Sequence, residues 1–324
     1  MSVTKEYSQI SIDNFLSMTG ELPFGVYVKI SDDKFTLIFK KGDVIDSERF
    51  SKYAQKGVKE LYIHKTERRE YITATEVLMN RIQANPTLPI AEAHKVIEEL
   101  TEQTMFEIFE DKLFDENSLR RAQVVVKSYI DILKNDPSGL ATFINLSKNE
   151  TYPCRHAIAT SVFAVLLARA HENQNEKTLM IVGLGGLLHD IGMSKLPEGI
   201  EDVNRKLTPD EWEQVKKHPN FGLEMIKDIK AFPEEVKFVI EQHHENWDGT
   251  GYSRGLRASE IFYPARVVAI ADAFSALTTK RGGRSLYKPE DALALLLTEH
   301  RKYDPMLIKA FRSLFNVNIT KKAA

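Results

Sequence analysis

The chain has 324 residues, 43% of them apolar and 28% charged, with a formal net charge of −2. That length supports one large core, or one core with a small satellite domain, and the near-neutral balance offers no general attraction to nucleic acid polymers or acidic lipid. Cys154 is the only cysteine, which excludes an internal disulfide, an iron–sulfur cluster and a cysteine-based zinc finger. With no apolar run of about 18 residues and no apolar stretch at the N-terminus, a cytoplasmic protein without membrane insertion is expected.

The first 75 residues alternate like strands. Phe24, Val26, Val28 and Ile30 share one face, and Tyr27 and Lys29 the other; a turn at residues 31–33 leads into a second run, Phe35–Lys40. A short helix is expected from Ser47 to Gly57, and Leu61–Ile63 reads as another strand. Together they make a small N-terminal α+β domain over residues 1–75, suited to regulation or dimerisation. Residues 76–90, with Asn85-Pro86 and Leu88-Pro89, read as a connector.

From residue 91 to 324 the pattern is helical, so the fold class is mainly α. Leu119, Ala122, Val126, Tyr129, Ile130 and Leu133 fall on one helix face, which points to core packing ahead of a dimer seam. Further helices are expected over His156–Ala170, Leu179–His189, Pro209–Ile229, Glu234–Glu245, Ile261–Thr278, Pro289–His300 and Pro305–Phe315.

Five of the nine histidines and two aspartates recur along these helices: His156, His189, Asp190, His218, His243, His244 and Asp272. A lone helical histidine is more often a satisfied core residue than a ligand. Asp272 carries more weight, because it stands in an apolar run, and an ionised carboxylate there is costly without a cation or several donors. The steps from His156 to His189, Asp190 to His218, His218 to His243 and His244 to Asp272 are 33, 28, 25 and 28 residues. Each matches one helix, its connection and part of the next, so successive helices could deliver ligands to one axis. Five imidazoles and two carboxylates exceed the needs of one metal and suit two, with Asp190 bridging; the N/O donor set fits iron, manganese or another first-row ion. Glu245 could orient a ligand histidine or lie on the surface.

At these residues the chain resembles the HD-GYP family, a branch of the HD-domain metal phosphohydrolases. The resemblance runs over about 150–315 and rests on the HDIG string at 189–192, LTPDEW at 207–212 followed by His218-Pro219, HHENWDGTGYSRGL at 243–256 and ARVVAIADAFSALT at 265–278. It implies a helical HD-domain bundle, two divalent metal ions, iron or manganese, and hydrolysis of cyclic di-GMP to linear pGpG, with GMP as a further product left open. It places one metal on His156, His189, Asp190 and Asp272 and the second on Asp190, His218, His243 and His244. Tyr152 stands where some relatives carry a glutamate for a third metal.

The departures lie elsewhere. Met193 replaces the family's lysine, with Lys195 two residues on; Gly-Tyr-Pro reads Gly251-Tyr252-Ser253, and Arg-Pro-Tyr-Arg reads Arg281-Gly282-Gly283-Arg284. Asp190 and Lys195 are the expected catalytic residues. Arg254, Arg257, Arg281 and Arg284 could pair with phosphates or be solvated surface charges. Trp247 and Tyr252 could stack a guanine or pack their loop onto the core. Two alternatives stay open: another cyclic dinucleotide such as cyclic GMP-AMP as substrate, and a catalytically weak module that binds nucleotide or a signalling partner. A homodimer is a further expectation.

Overall fold

The computed structural model describes residues 6–12, 15, 18, 20–31, 34–58, 60–84, 90–109, 111–135, 152–171, 175–197, 200, 205, 207–279 and 286–321. The chain divides into two compact units, Met1–Gln103 and Thr104–Ala324.

The first unit holds an antiparallel sheet of order β1-β4-β2-β3, with β1 Tyr7–Ser11, β2 Val26–Ser31, β3 Lys34–Phe39 and β4 Glu60–His64. The expected alternation of β2 is broken. The β2–β3 register shifts between Val26 and Tyr27 and again between Lys29 and Ser31, and such an irregularity turns the residues beyond it to a new face. Phe24 and Val26 are therefore fully buried, whereas Ile30 is 62% exposed. Helix α1, Ser47–Gln55, is capped by Asp46, whose carboxylate accepts from the Arg49 amide at 3.0 Å. It lays Phe50 on Phe39 and Phe15, with ring centroids 4.2 and 4.6 Å apart.

The expected connector is a helix for most of its length. Helix α2, Arg68–Ala84, runs through it and buries Tyr71, Ile72, Leu78 and Met79; residues 85–89, with both proline pairs, lie outside the described residues. Helix α3 follows as Ile90–Phe109, and Tyr71 donates to the Glu99 carboxylate at 2.7 Å to tie α2 to it. The boundary between units thus falls inside α3 rather than between residues 75 and 91. A cavity of ≈ 680 Å³ in the first unit is walled by Met18, Ile45, Arg69 and Val77 among others and includes none of the seven singled-out residues.

Among the described residues of the second unit, the regular elements are all helices. Its elements are α4 Glu116–Asn135, α5 Tyr152–Ala170, α6 Glu176–Leu188, α7 Pro209–Val215, α8 His218–Ile226, α9 Glu234–Gln242, α10 Tyr263–Thr278, α11 Pro289–Thr298 and α12 Pro305–Lys321. The stripe from Leu119 to Leu133 is buried within the single chain, so it is core and not a seam. Helix α6 is central: it packs on α4, α5, α9 and α10. A Cβ on its Gly186 would stand 2.7 Å from the Ser161 Cα, so α5 and α6 approach this closely only over a glycine.

The single helix expected over 209–229 is two. Thr208 and Glu211 form a capping box at the start of α7, and the helix stops at Val215. Pro219, which has no amide hydrogen to donate, sits in the first turn of α8, the helical position where proline is tolerated. Helix α10 carries Phe274, fully buried among Phe163, Phe311 and Phe315 with centroids 4.8, 5.1 and 5.0 Å away. Phe274→Ala is expected to cost about 3–5 kcal/mol; a denaturant midpoint unchanged from the parent protein would contradict that.

Candidate metal centre

All seven singled-out side chains meet in the second unit. Asp190, His218, His243 and His244 form one group and His156, His189 and Asp272 another; within each group, ligand atoms lie within 4.8 Å of one another. Asp190 faces both groups. Its Oδ1 is 3.1 Å from His218 Nε2 and 3.8 Å from His243 Nε2, while its Oδ2 is 3.3 Å from His189 Nε2 and 3.8 Å from His156 Nε2. Asp272, reaching in from α10, places Oδ1 3.0 Å from His156 Nε2 and 3.6 Å from His189 Nε2.

Three of the rings are aimed by the same local device. His189 follows the last residue of α6, His243 the last residue of α9, and His218 opens α8 just beyond α7. Carbonyls at helix C-termini lack intrahelical donors, and each ring reaches back three residues to one of them. Nδ1 of His189 donates to Gly186 at 2.8 Å, that of His218 to Val215 at 2.7 Å, and that of His243 to Ile240 at 2.9 Å. A carbonyl can only accept, so the neutral rings keep their proton on Nδ1 and turn the Nε2 lone pair inward, as in metal-bound histidines.

With the rings neutral, that arrangement brings Nε2 lone pairs together in a way that a shared cation would stabilise. His218 Nε2 and His243 Nε2 are 3.1 Å apart, and His156 Nε2 and His189 Nε2 are 3.3 Å apart. Two lone pairs at that distance repel each other. Two imidazoles on one metal, at about 2.1 Å and a right to tetrahedral angle, would stand roughly 3.0–3.4 Å apart. The donors present therefore fit a divalent ion in each group.

A family model described as HD domain matches residues 140–307. The chain belongs to the HD domain family. Among curated proteins it is similar to a cyclic di-GMP phosphodiesterase of Pseudomonas aeruginosa, 32% identical over 54% of this chain and 42% of that one. It is also similar to a 3′3′-cGAMP-specific phosphodiesterase of Vibrio cholerae, 34% identical over 38% of this chain and 24% of that one. The chain thus spans less than half the length of these relatives. Among solved structures it is similar to an HDG"Y"P protein of Bdellovibrio bacteriovorus, with a TM-score of 0.69 and 25% identity, covering 96% of this chain and 100% of that one. The HD-GYP resemblance read from the motifs agrees with these findings.

The HD domain's loop after α9 corrects the reading of Glu245, which neither orients a ligand histidine nor lies on the surface. It is 2% exposed, and its carboxylate accepts from the amides of Arg254, Gly255 and Leu256 at 2.5, 3.0 and 3.0 Å. A Cβ on Gly251 would lie 2.4 Å from the His244 carbonyl oxygen and 2.3 Å from the Asn246 nitrogen, so only glycine permits the loop to turn back here. Tyr252 then donates its amide to His244 at 3.1 Å and lays its ring 4.8 Å from the His244 ring.

The other expected contacts scatter. Trp247 lies under the Arg266 guanidinium, 5.5 Å from ring centroid to carbon, and Arg266 pairs with Asp304 at 2.7 Å; that indole packs its loop onto α10. Arg254 is exposed, 3.7 Å from Glu241. Arg257 is exposed and closes a turn through Glu260, which accepts its amide at 2.9 Å. Lys195 is exposed at the end of the Ile191–Lys195 turn, and it makes no ion pair with the cluster among the described residues. Met193 packs on Leu196, Ile200 and Val215. Arg281 and Arg284 lie outside the described residues.

The electrostatics follow from burial and crowding. Burial raises the Asp190 and Asp272 carboxyls, but their histidine neighbours outweigh it and hold both well below the usual range. Burial likewise works against a charged His189, yet Asp190 and Asp272 prevail and hold its pKa well above the ordinary value. For His243 and His244 burial wins and both are lowered. The metal-free centre is therefore expected to carry a proton on His189 at neutral pH. Since Nδ1–H is committed to Gly186, that proton sits on Nε2, the atom turned toward Asp190 and Asp272. Adding Mn²⁺ to metal-free protein in weak buffer near neutrality should release roughly one proton, fewer as pH rises through the raised pKa. An indicator dye reads this, and uptake without acidification would contradict it.

Proposed function

We propose that this chain is a divalent-metal phosphodiesterase of cyclic dinucleotides, with cyclic di-GMP as its substrate and linear pGpG as first product. The observation that carries the reading is the Asp190 carboxylate, one oxygen toward each histidine group. His156, His189, Asp190 and Asp272 would hold one ion, and Asp190, His218, His243 and His244 the other. Bound there, iron or manganese ions would supply Lewis acidity, polarising a phosphoryl group and acidifying water for in-line displacement of the 3′-oxygen.

The chain's own residues supply the surroundings. Burial, then Asp190 and Asp272, push the Tyr252 phenol up, so it stays protonated. Its hydroxyl is buried and has no hydrogen-bond partner among the described residues. It is a donor available to a phosphoryl oxygen at the wall of the site. The Tyr252 ring lies against His244, and a guanine would stack on the face turned away from that imidazole. Arg254, exposed on the same loop, offers positive charge to a phosphate. Lys195 and the pair Arg281 and Arg284 remain candidates for the same role.

A second substrate, cyclic GMP-AMP, is kept because the relatives divide: identity is 32% to the cyclic di-GMP enzyme and 34% to the cGAMP-specific one. That near-equality does not discriminate guanine from adenine. The weak-module reading drew on Met193. Here the thioether belongs to an apolar cluster, so its presence leaves the donors of both groups untouched.

Anaerobically purified protein, assayed for metal content and for turnover of both cyclic dinucleotides in one sample, tests the reading. Two metals with faster cleavage of cyclic di-GMP are expected, and two metals without product from either would refute it. Asp190→Ala should lose at least one metal and about a thousandfold of turnover, since removing one Lewis acid forfeits several kcal/mol of charge stabilisation. Retention of both metals would sink the bridging role.

A further inference from the structure

Four consecutive residues at the end of α9 face two ways. His243 and His244 turn to the metal centre. Gln242 and Glu245, both nearly fully buried, turn to the chain that follows: Gln242 accepts from the Phe262 amide at 2.8 Å at the start of α10, and Glu245 takes the three amides of Arg254–Leu256. Three successive amides converging on one carboxylate form an anion-binding nest, here filled from within. With Tyr252 donating its amide to His244, and Ser253 its hydroxyl to the Glu241 carbonyl at 2.8 Å, the loop is tied at both ends to the segment that carries the metal-facing histidines.

We infer that Glu245 is a positioning residue for the cyclic dinucleotide, holding Tyr252 and Arg254 in place through the backbone of residues 254–256. It touches neither substrate nor metal. A carboxylate that accepts three amides fixes where the loop starts and ends, so the phenol and guanidinium on it meet the ligand without a prior ordering step, and such ordering is charged to binding and not to the chemical step. This inference rests on the cyclic-dinucleotide reading for its substrate, but not for the clamp itself.

The test compares Glu245→Ala and Glu245→Gln with the parent, using metal-loaded full-length protein. Metal content should be unchanged in both. For cyclic di-GMP, Glu245→Ala should raise KM about tenfold or more with kcat within about threefold, the signature of lost binding rather than lost chemistry. Glu245→Gln keeps one acceptor oxygen but sets an NH₂ against a backbone N–H, so it should fall between the other two. Because it is isosteric it carries the test if the alanine variant does not fold.

Trypsin supplies a readout independent of substrate. The Arg254–Gly255 bond is protected while its amides are clamped, and mass spectrometry should show cleavage after Arg254 accelerated about tenfold in Glu245→Ala, since cleavage follows the population of the open loop. Unchanged cleavage and KM in both variants would overturn the inference, as would loss of metal with an equal fall in kcat, which would place Glu245 with the metal ligands. If the parent cleaves no cyclic dinucleotide, the functional reading fails while the trypsin result still judges the clamp.

Discussion

The centre depends on one kind of hydrogen bond, imidazole Nδ1–H to the carbonyl three residues earlier. His189, His218 and His243 each make it at a helix end. A helix terminus must find donors for its last carbonyls, and a ligand histidine must find an acceptor for the proton it does not give up to the metal. One bond settles both needs. It fixes the tautomer, the ring plane and the direction of Nε2 together, so that lone pairs converge from three helices with no further side chain employed to aim them.

The remainder of the second unit serves to bring those helix ends together. Helix α6 packs on four neighbours, and Gly186, whose carbonyl accepts the hydrogen bond from His189 Nδ1, is also a point where the α5 backbone leaves no room for a side chain. Pro219 marks the restart of the helix that places His218 opposite the freed Val215 carbonyl. Asp272 differs: it projects from within α10, where its charge is held by His156 and His189. The buried anion that looked too costly in an apolar run is repaid by these neighbours.

The convergence of the seven side chains was legible because chemistry restricts their types and helix length restricts their spacing. Asp272 stood out because a buried carboxylate needs a counter-charge or donors, and His156 and His189 supply them. The capping device was less visible, although histidines placed just where helical periodicity ends were a signal for it. Glu245 could not be read: a carboxylate beside two ligand histidines looks like their partner, and only the loop's return over Gly251 brings residues 254–256 to it. The misreadings in the first unit have a similar origin. Register shifts in β2 depend on the pairing strand, so alternation alone placed Ile30 inside. The proline pairs after α2 drew the connector too far back, because a helix can run up to the residue before such a break.

Because the same imidazole closes a helix end and turns its Nε2 into the His/Asp cluster, scaffold and site are not separable traits at residues 189, 218 and 243. Any replacement there uncaps a helix end as it removes a donor from the cluster. Asp272 closes no helix end. Its carboxylate is held instead by His156 and His189, so changing the charge at position 272 takes an acceptor from two buried imidazoles, while replacing a capping histidine leaves a helix-end carbonyl without its donor as well.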